Sequence, residues 1–275
     1  MTNLTNKNNQ KPIGIFDSGI GGLTVAQSLV KQLPYEHIIY FGDTAHMPYG
    51  DKSAESICAY ALKITKFLLQ QECKLILMAC HTASSVAFDV VKQFVDGKAL
   101  LMDVVNPVVD HVRAFYAKKC IGLIGTKAMI HSNIYQKKFD QFNADITLKS
   151  QATSILASAI EEGFHEGPVI DSILEAYLSH ETLNDIDALI LGCTHYPIIK
   201  ENIRAFYKNT VDIIDPSDIV AHAVCGRLSA NQLLNADTNP SVREFYISDY
   251  TKSFSENIGL FFKDDIHLKH HPIWE

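Results

Sequence analysis

Residues 75–82 read LILMACHT, and residues 188–195 read ALILGCTH. Each stretch is a short apolar run followed at once by a cysteine, Cys80 in the first and Cys193 in the second. An apolar run without polar alternation is typical of a strand buried on both faces of a parallel sheet. The two stretches therefore predict two equivalent buried strands, each with a cysteine at its carboxyl end.

A second pair of matching stretches supports an internal duplication. Residues 13–18 read IGIFDS and residues 121–126 read IGLIGT, so the chain loosely repeats itself after about 110 residues. Two matches at nearly the same separation predict two related lobes that face each other. Open parallel sheets bind ligands at the carboxyl ends of their strands, so equivalent strand ends are expected to point into one cleft.

The rest of the chain continues the same alternation of strand and helix. Apolar runs rich in Ile, Val and Leu alternate with longer amphipathic stretches, as expected for βα units. Strands are predicted at 13–16, 37–41, 75–79, 100–105, 121–124, 188–191, 211–214 and 244–247. Helices are predicted at 23–33, 54–71, 83–94, 108–118, 169–180, 197–207 and 217–234.

These elements predict an α/β protein of two pseudo-symmetric parallel-sheet lobes, with helices on both faces and the active site in the cleft between them. Lobe 1 is expected to comprise 12–103 plus 216–275 and to carry Asp17 and Cys80. Lobe 2 is expected to comprise 104–215 and to carry Cys193 and His195. Residues 1–11 are interpreted as a flexible N-terminal tail. The His-rich end, around His267, His270 and His271, is interpreted as a solvated tail rather than a metal site.

Composition narrows the class of function. No stretch approaches the roughly 18 apolar residues of a membrane span, and the polar start of the chain lacks the apolar run of a secretory signal. We therefore expect a cytoplasmic protein without a membrane anchor. The formal charge of −7 and a pI near 5.9 argue against bulk attraction to nucleic acid. The six cysteines contain no C-x-x-C pair, so they are expected to be thiols without a metal.

Two facing cysteines suit one kind of chemistry particularly well. Moving a proton from one face of a carbon α to a carboxylate to the other face needs an acid and a base on opposite sides. Cys80 and Cys193, each at a strand end before a helix with N–H groups that favour a thiolate, are the candidates. Packed structural thiols are one alternative, and a Cys–His hydrolase, which leaves the second cysteine unexplained, is another. A zinc site would need His81 and His195 as well, but adjacent residues at a strand end point apart.

Polar residues near these strand ends are candidates for supporting roles. Asp17 and His195 could orient or discharge a thiol, and the alternative for Asp17 is a turn residue that caps a helix. Residues 17–22 (DSGIGG) open a helix and can present N–H groups to a substrate carboxylate. Residues 40–50 form a second turn-rich loop suited to holding the polar end of a small ligand.

Four motifs together resemble the glutamate racemase family, within the aspartate/glutamate racemases, over nearly the whole chain. They are residues 17–25 (DSGIGGLTV), 42–50 (GDTAHMPYG), 79–84 (ACHTAS) and 192–197 (GCTHYP). The resemblance implies racemisation of glutamate without pyridoxal phosphate or metal, a supply of D-glutamate for peptidoglycan, and a homodimer. The catalytic positions it implies are Cys80, Cys193, Asp17, His195 and Glu161. The substrate-binding positions it implies are Asp17, Ser18, Pro48, Tyr49, Gly50, His81, Thr82, Thr126, Thr194 and His195.

The chain departs from the family pattern at a few positions. His81 stands where the family usually has Asn, and Met129 where it has Thr. Thr153-Ser154 replaces a common Cys-Pro, and Asn106 replaces an acidic residue. His81 is expected to touch the substrate, and to alter either the thiolate fraction of Cys80 or the room for the side-chain carboxylate of the substrate. The alternatives are therefore a racemase of aspartate or another acidic amino acid, and a regulatory or binding homologue with little turnover.

Overall fold

The protein is represented by a computed structural model that describes residues 8–143, 145–237, 241–250 and 268–274. Most of the predicted N-terminal tail, residues 1–7, lies outside the described residues, as does His267. In the part of the chain that is described, no helix combines the length and apolar character needed to cross a bilayer.

The first sheet is built from both ends of the chain. Its six parallel strands run in the order β10-β9-β2-β1-β3-β4. They are β1 (Ile13–Asp17), β2 (Ile38–Gly42), β3 (Leu75–Met78), β4 (Leu100–Asp103), β9 (Arg243–Ile247) and β10 (Leu268–His270). The expectation of a tail at the His-rich end is wrong for His270, because this residue ends strand β10 and pairs with Ile247 of β9.

The second sheet has four parallel strands in the order β6-β5-β7-β8. They are β5 (Cys120–Gly125), β6 (Thr147–Ala152), β7 (Ala188–Gly192) and β8 (Asp212–Ile214). In each sheet the first strand, β1 or β5, pairs directly with the strand that precedes a predicted catalytic cysteine, β3 or β7. The α/β class with two related parallel sheets is therefore confirmed.

Helices cover both sheets. They are α1 (Leu23–Gln32), α2 (Ala54–Gln70), α3 (His81–Val95), α4 (Val105–Phe115), α5 (Lys127–Ser132), α6 (Ile134–Gln141), α7 (Leu156–Glu161), α8 (Pro168–Leu178), α9 (Lys200–Phe206) and α10 (Pro216–Ala230). The predicted start of α4 was too late, because Pro107 is tolerated in a first helical turn and the Asp103 carboxylate accepts the Asn106 N–H there. Within the described residues, short 3-10 helices add to these at Tyr49–Asp51, Glu181–Leu183 and Tyr196–Ile199.

One hydrophobic core joins the two sheets. Buried side chains of the first sheet, such as Leu77, belong to the same cluster as those of the second, such as Ile190. Helices α4 and α10 supply the apolar residues between them, including Val108 and Val224. Because this core is continuous, the carboxyl ends of the two sheets are held facing each other. The strands of the two sheets fall within the predicted lobes, while the lobe boundaries themselves stay a prediction.

Candidate active site

A cavity of about 200 Å³ lies where the carboxyl ends of the two sheets meet. It is smaller than the roughly 300–1,000 Å³ of sites for drug-sized ligands, so it suits a small metabolite. Its lining residues are Ser18, Met47, Pro48, Tyr49, Gly50, Cys80, His81, Thr82, Thr126, Ala157, Ser158, Glu161, Glu162, Cys193, Thr194 and His195. The structure thus brings together every sequence-predicted site residue except Asp17, which lies just behind the wall.

Cys80 directly follows β3 and caps the N-terminus of α3. Its sulfur accepts the Ala83 N–H at 3.5 Å, and its thiol lies 3.7 Å from the Ser18 hydroxyl oxygen. Burial raises the pKa of the Cys80 thiol to about 12, the nearby Asp17 charge adds to this, and the Ala83 N–H only partly opposes it. The expectation that strand-end N–H groups favour the thiolate is therefore outweighed at Cys80, which is a protonated thiol at rest.

Cys193 directly follows β7, and its surroundings differ from those of Cys80. Its sulfur lies 3.6 Å from Nδ1 of His195, whose Nε2 forms a short hydrogen bond with the Glu161 carboxylate. Burial alone would lower the pKa of His195, but the charges of Glu161 and Cys193 and its hydrogen bonds to both raise it well above its ordinary value. His195 is therefore an imidazolium placed between a carboxylate and a sulfur, where it favours negative charge on that sulfur.

Asp17, the last residue of β1, is fully buried and anchors the loop that follows it. One carboxylate oxygen accepts the N–H groups of Gly19 (3.1 Å) and Gly22 (3.0 Å), and the other accepts the Thr194 hydroxyl at 3.2 Å. Burial raises the pKa of Asp17, against the opposing effects of the His195 charge and the two N–H groups. Asp17 therefore has the geometry of a turn residue, and it also links the loop after β1 to the loop that contains Cys193 and Thr194.

Residues of the two lobes contact each other in the cavity wall. The hydroxyls of Thr82 and Thr126 are 2.8 Å apart, and a Cβ added to Gly50 would lie only 2.8 Å from the Thr126 Cβ. Thr126 also caps α5. Among the lining residues that the structure describes, none is Lys or Arg. A carboxylate ligand would therefore be held by hydroxyls, backbone N–H groups, the α3 N-terminus and the His195 imidazolium.

His81 lines the cavity, but its hydrogen bond is made outside the substrate region. Nδ1 and the Tyr135 hydroxyl are 3.3 Å apart, and the two rings stack with centroids 6.4 Å apart. Burial lowers the pKa of His81 to about 3, so the imidazole is neutral. A neutral ring carries no charge that could increase the thiolate fraction of Cys80. His81 therefore affects the site through its shape and its contact with the second lobe.

The other departures from the family pattern lie away from the cavity. Met129 packs beside Gly125 and Gly192, where the backbones of β5 and β7 approach closely. The Thr153 hydroxyl bonds to the Gly125 carbonyl, and Asn106 donates to the Asp103 carboxylate. Over the described ranges, no three His, Cys, Asp or Glu side chains group as a metal ion would require.

Sequence reasoning missed part of the lining. Met47, which precedes a cis peptide bond to Pro48, faces the Ser18–Gly19 turn. Ala157, Ser158 and Glu162 belong to α7 or its C-cap. A helix of six residues shows too little periodicity to be recognised, and only the family resemblance indicated Glu161.

We expect the His81→Asn variant to remove part of the acid sensitivity of the fold. The folded pKa of about 3 lies below the ordinary value of 6.5, so between these limits only the unfolded chain binds the proton. Stability is therefore lost as the pH falls through this window, by about 2 kcal/mol between pH 7 and pH 5. Urea unfolding of both proteins at the two pH values measures it, and identical pH dependence would contradict it.

Comparisons with known proteins agree with this geometry. A family model described as Asp/Glu/Hydantoin racemase matches residues 13–224. The glutamate racemase of Syntrophus aciditrophicus is 38% identical over 91% of this chain and 93% of its own. That of Chlorobaculum parvum is 39% identical over 91% and 92%. The crystal structure of the Francisella tularensis glutamate racemase in complex with D-glutamate has a TM-score of 0.89 and 39% identity, and covers 97% of this chain and 99% of that one.

Proposed function

Because this chain belongs to the Asp/Glu/hydantoin racemase family and is an amino-acid racemase, we propose that it interconverts L- and D-glutamate by proton transfer between Cys80 and Cys193. One observation carries the proposal. Two buried sulfurs at equivalent strand ends of two related sheets line one small cavity. A single Cα held between them can lose a proton to one sulfur and gain a proton from the other.

Glutamate is the substrate that the comparisons favour. The relatives bear the name glutamate racemase, and the Francisella protein holds D-glutamate. The cavity offers donors for two carboxylates, since the hydroxyls of Ser18 and Thr82 and the N-terminus of α3 line it. These neutral donors and the α3 N-terminus would also stabilise the negative charge that develops on the α-carboxylate when the Cα proton leaves.

The two sulfurs lie in different electrostatic surroundings. Cys80 is a thiol because burial raises its pKa to about 12, whereas the Cys193 sulfur lies 3.6 Å from Nδ1 of the His195 imidazolium. In one direction the Cys193 thiolate takes the Cα proton while the Cys80 thiol delivers its own proton to the opposite face. The roles are exchanged in the other direction. Protons balance within the pair, so this proposal needs no pyridoxal phosphate and no metal.

Asp17, His195 and Glu161 act as supporting groups in this proposal. His195 and Glu161 compensate the charge at Cys193, and Asp17 links the loop at Ser18 to the loop at Thr194. Pro48, Tyr49, Gly50 and Thr126 complete the substrate-binding wall. The family resemblance further supports a cytoplasmic homodimer that supplies D-glutamate for peptidoglycan.

Incubation of the purified protein in deuterated water tests the proposed reaction and its substrate together. L-glutamate should lose its optical rotation as deuterium enters Cα. L-aspartate, one methylene shorter, should react roughly 10- to 200-fold more slowly. A faster reaction with aspartate would favour the alternative substrate, for which the neutral His81 ring on the cavity wall is the motivating observation. A folded protein that exchanges neither amino acid would contradict racemisation and favour a regulatory role.

A further inference from the structure

The buried carboxylate of Asp43, directly after β2, contacts four polar side chains. Two of them follow Asp43 closely in the sequence, and two come from the C-terminal part of the chain. The carboxylate accepts hydrogen bonds from the Tyr49 hydroxyl (2.6 Å), the Ser248 hydroxyl (2.7 Å) and the Trp274 indole N–H (2.8 Å). Nδ1 of His46 lies 3.1 Å from both of its oxygens. Asp43 itself is fully buried, so this charge depends on these donors for its stabilisation.

The donors divide between the two oxygens in a way that fixes the plane of the carboxylate. Oδ1 receives Ser248 and Trp274, which come from the C-terminal part of the chain. Oδ2 receives Tyr49, whose side chain is 1% exposed and lines the proposed substrate cavity. The buried Asp43 carboxylate thus connects the C-terminal residues Ser248 and Trp274 to Tyr49 in the cavity wall.

The Trp274 ring is held by packing that does not involve its N–H. It meets the His46 ring edge-on at 4.4 Å and the Tyr60 ring at 5.2 Å, and His46 stacks on Tyr60 at 4.0 Å. Lys63 Nζ lies 4.9 Å from the indole centroid. The indole N–H can therefore be removed while most contacts of the ring are kept.

We propose that Trp274 is a positioning residue for substrate binding: its N–H orients the Asp43 carboxylate, which in turn holds Tyr49 in the cavity wall. The inference deepens the proposed function and rests on it. Trp274 does not line the cavity. Its loss should therefore weaken the binding of substrate more than it slows proton transfer between the two sulfurs.

The test compares glutamate racemisation by the wild type and the Trp274→Phe variant. Because the variant loses one hydrogen bond to a charged group, we expect KM to rise roughly fivefold while kcat changes less than about twofold. In a Tyr49→Phe background the same substitution should add no further change in KM, because the effect passes through the Tyr49 hydroxyl. Lys63→Met, which removes only the cation beside the ring, is the matched control and should leave KM unchanged.

A second modified protein keeps the size of the Trp274 ring, so that it tests the inference even if Trp274→Phe folds poorly. Trp274 is the only tryptophan of the chain, so biosynthetic replacement of tryptophan by 3-benzothienylalanine exchanges just this N–H for sulfur. The same rise in KM is expected. Wild-type KM in both modified proteins, or full additivity with Tyr49→Phe, would overturn the inference. A wild type that fails to racemise glutamate would instead overturn the proposed function, so the two failures are distinguishable.

Discussion

Replacement of either Cys80 or Cys193 by serine should lower kcat/KM for glutamate racemisation by at least about 10³-fold, because each sulfur acts as base in one direction and acid in the other. A serine hydroxyl is too weak an acid to supply an equivalent alkoxide base at neutral pH. Both variants keep a small side chain at the strand end, so the sheets should remain intact. Circular dichroism of the substrate measures the rate in each direction.

The same experiment contains an internal check and a matched control. Enantiomers have equal free energies in water, so kcat/KM must fall equally in the two directions for each variant. Cys225→Ser, at a half-buried thiol of α10 outside the cavity, should stay within about twofold of the wild type. Substantial activity in either Cys80→Ser or Cys193→Ser would show that one sulfur is dispensable and would contradict the paired mechanism.

Replacement of His195 by asparagine should lower kcat by roughly 10²- to 10³-fold. The substitution removes the positive charge beside the Cys193 sulfur and leaves the buried Glu161 carboxylate without its cation. A thiolate at Cys193 is then opposed by a like charge instead of being stabilised. Steady-state kinetics measure the effect, and His131→Asn, an exposed histidine of α5, is the control.

A double-variant cycle shows whether the uncompensated charge of Glu161 causes the loss of kcat in His195→Asn. If Glu161 acts through His195, the penalty of His195→Asn should be smaller in a Glu161→Gln background, since the neutral amide removes the repulsion. Independent, multiplicative effects of the two substitutions would show that His195 does not act through charge compensation.

The sequence predicted β1, β3, β5 and β7 because each is mainly an apolar run buried on both faces, and β3 and β7 lead directly to Cys80 and Cys193. It did not predict β6 (Thr147–Ala152), whose polar, half-exposed residues lack a buried strand's pattern. Short helices such as α5 and α7 were missed for a related reason, since one or two turns show no periodicity. Three lining residues of the α7 region were therefore not foreseen.

The orientation of a side chain was harder to predict than its position. The strand end of β1 placed Asp17 near the site, but its carboxylate is used by Gly19, Gly22 and Thr194 rather than exposed to the cavity. His81 was expected to act on Cys80, whereas Tyr135 of the other lobe engages its ring. Contacts of this kind join residues far apart in the chain, so local sequence patterns cannot predict them.

The central claim is that two sulfurs lie on opposite faces of one carbon. The most direct test measures which enantiomer of glutamate carries deuterium at Cα during the first few per cent of turnover in deuterated water. Starting from L-glutamate, the D-glutamate formed should carry solvent deuterium at Cα, while the remaining L-glutamate keeps its hydrogen. Each sulfur serves one face, so the proton removed is not the one returned. Deuterium appearing equally fast in residual L-glutamate, or D-glutamate that retains the original hydrogen, would show that one base serves both faces and would contradict the account.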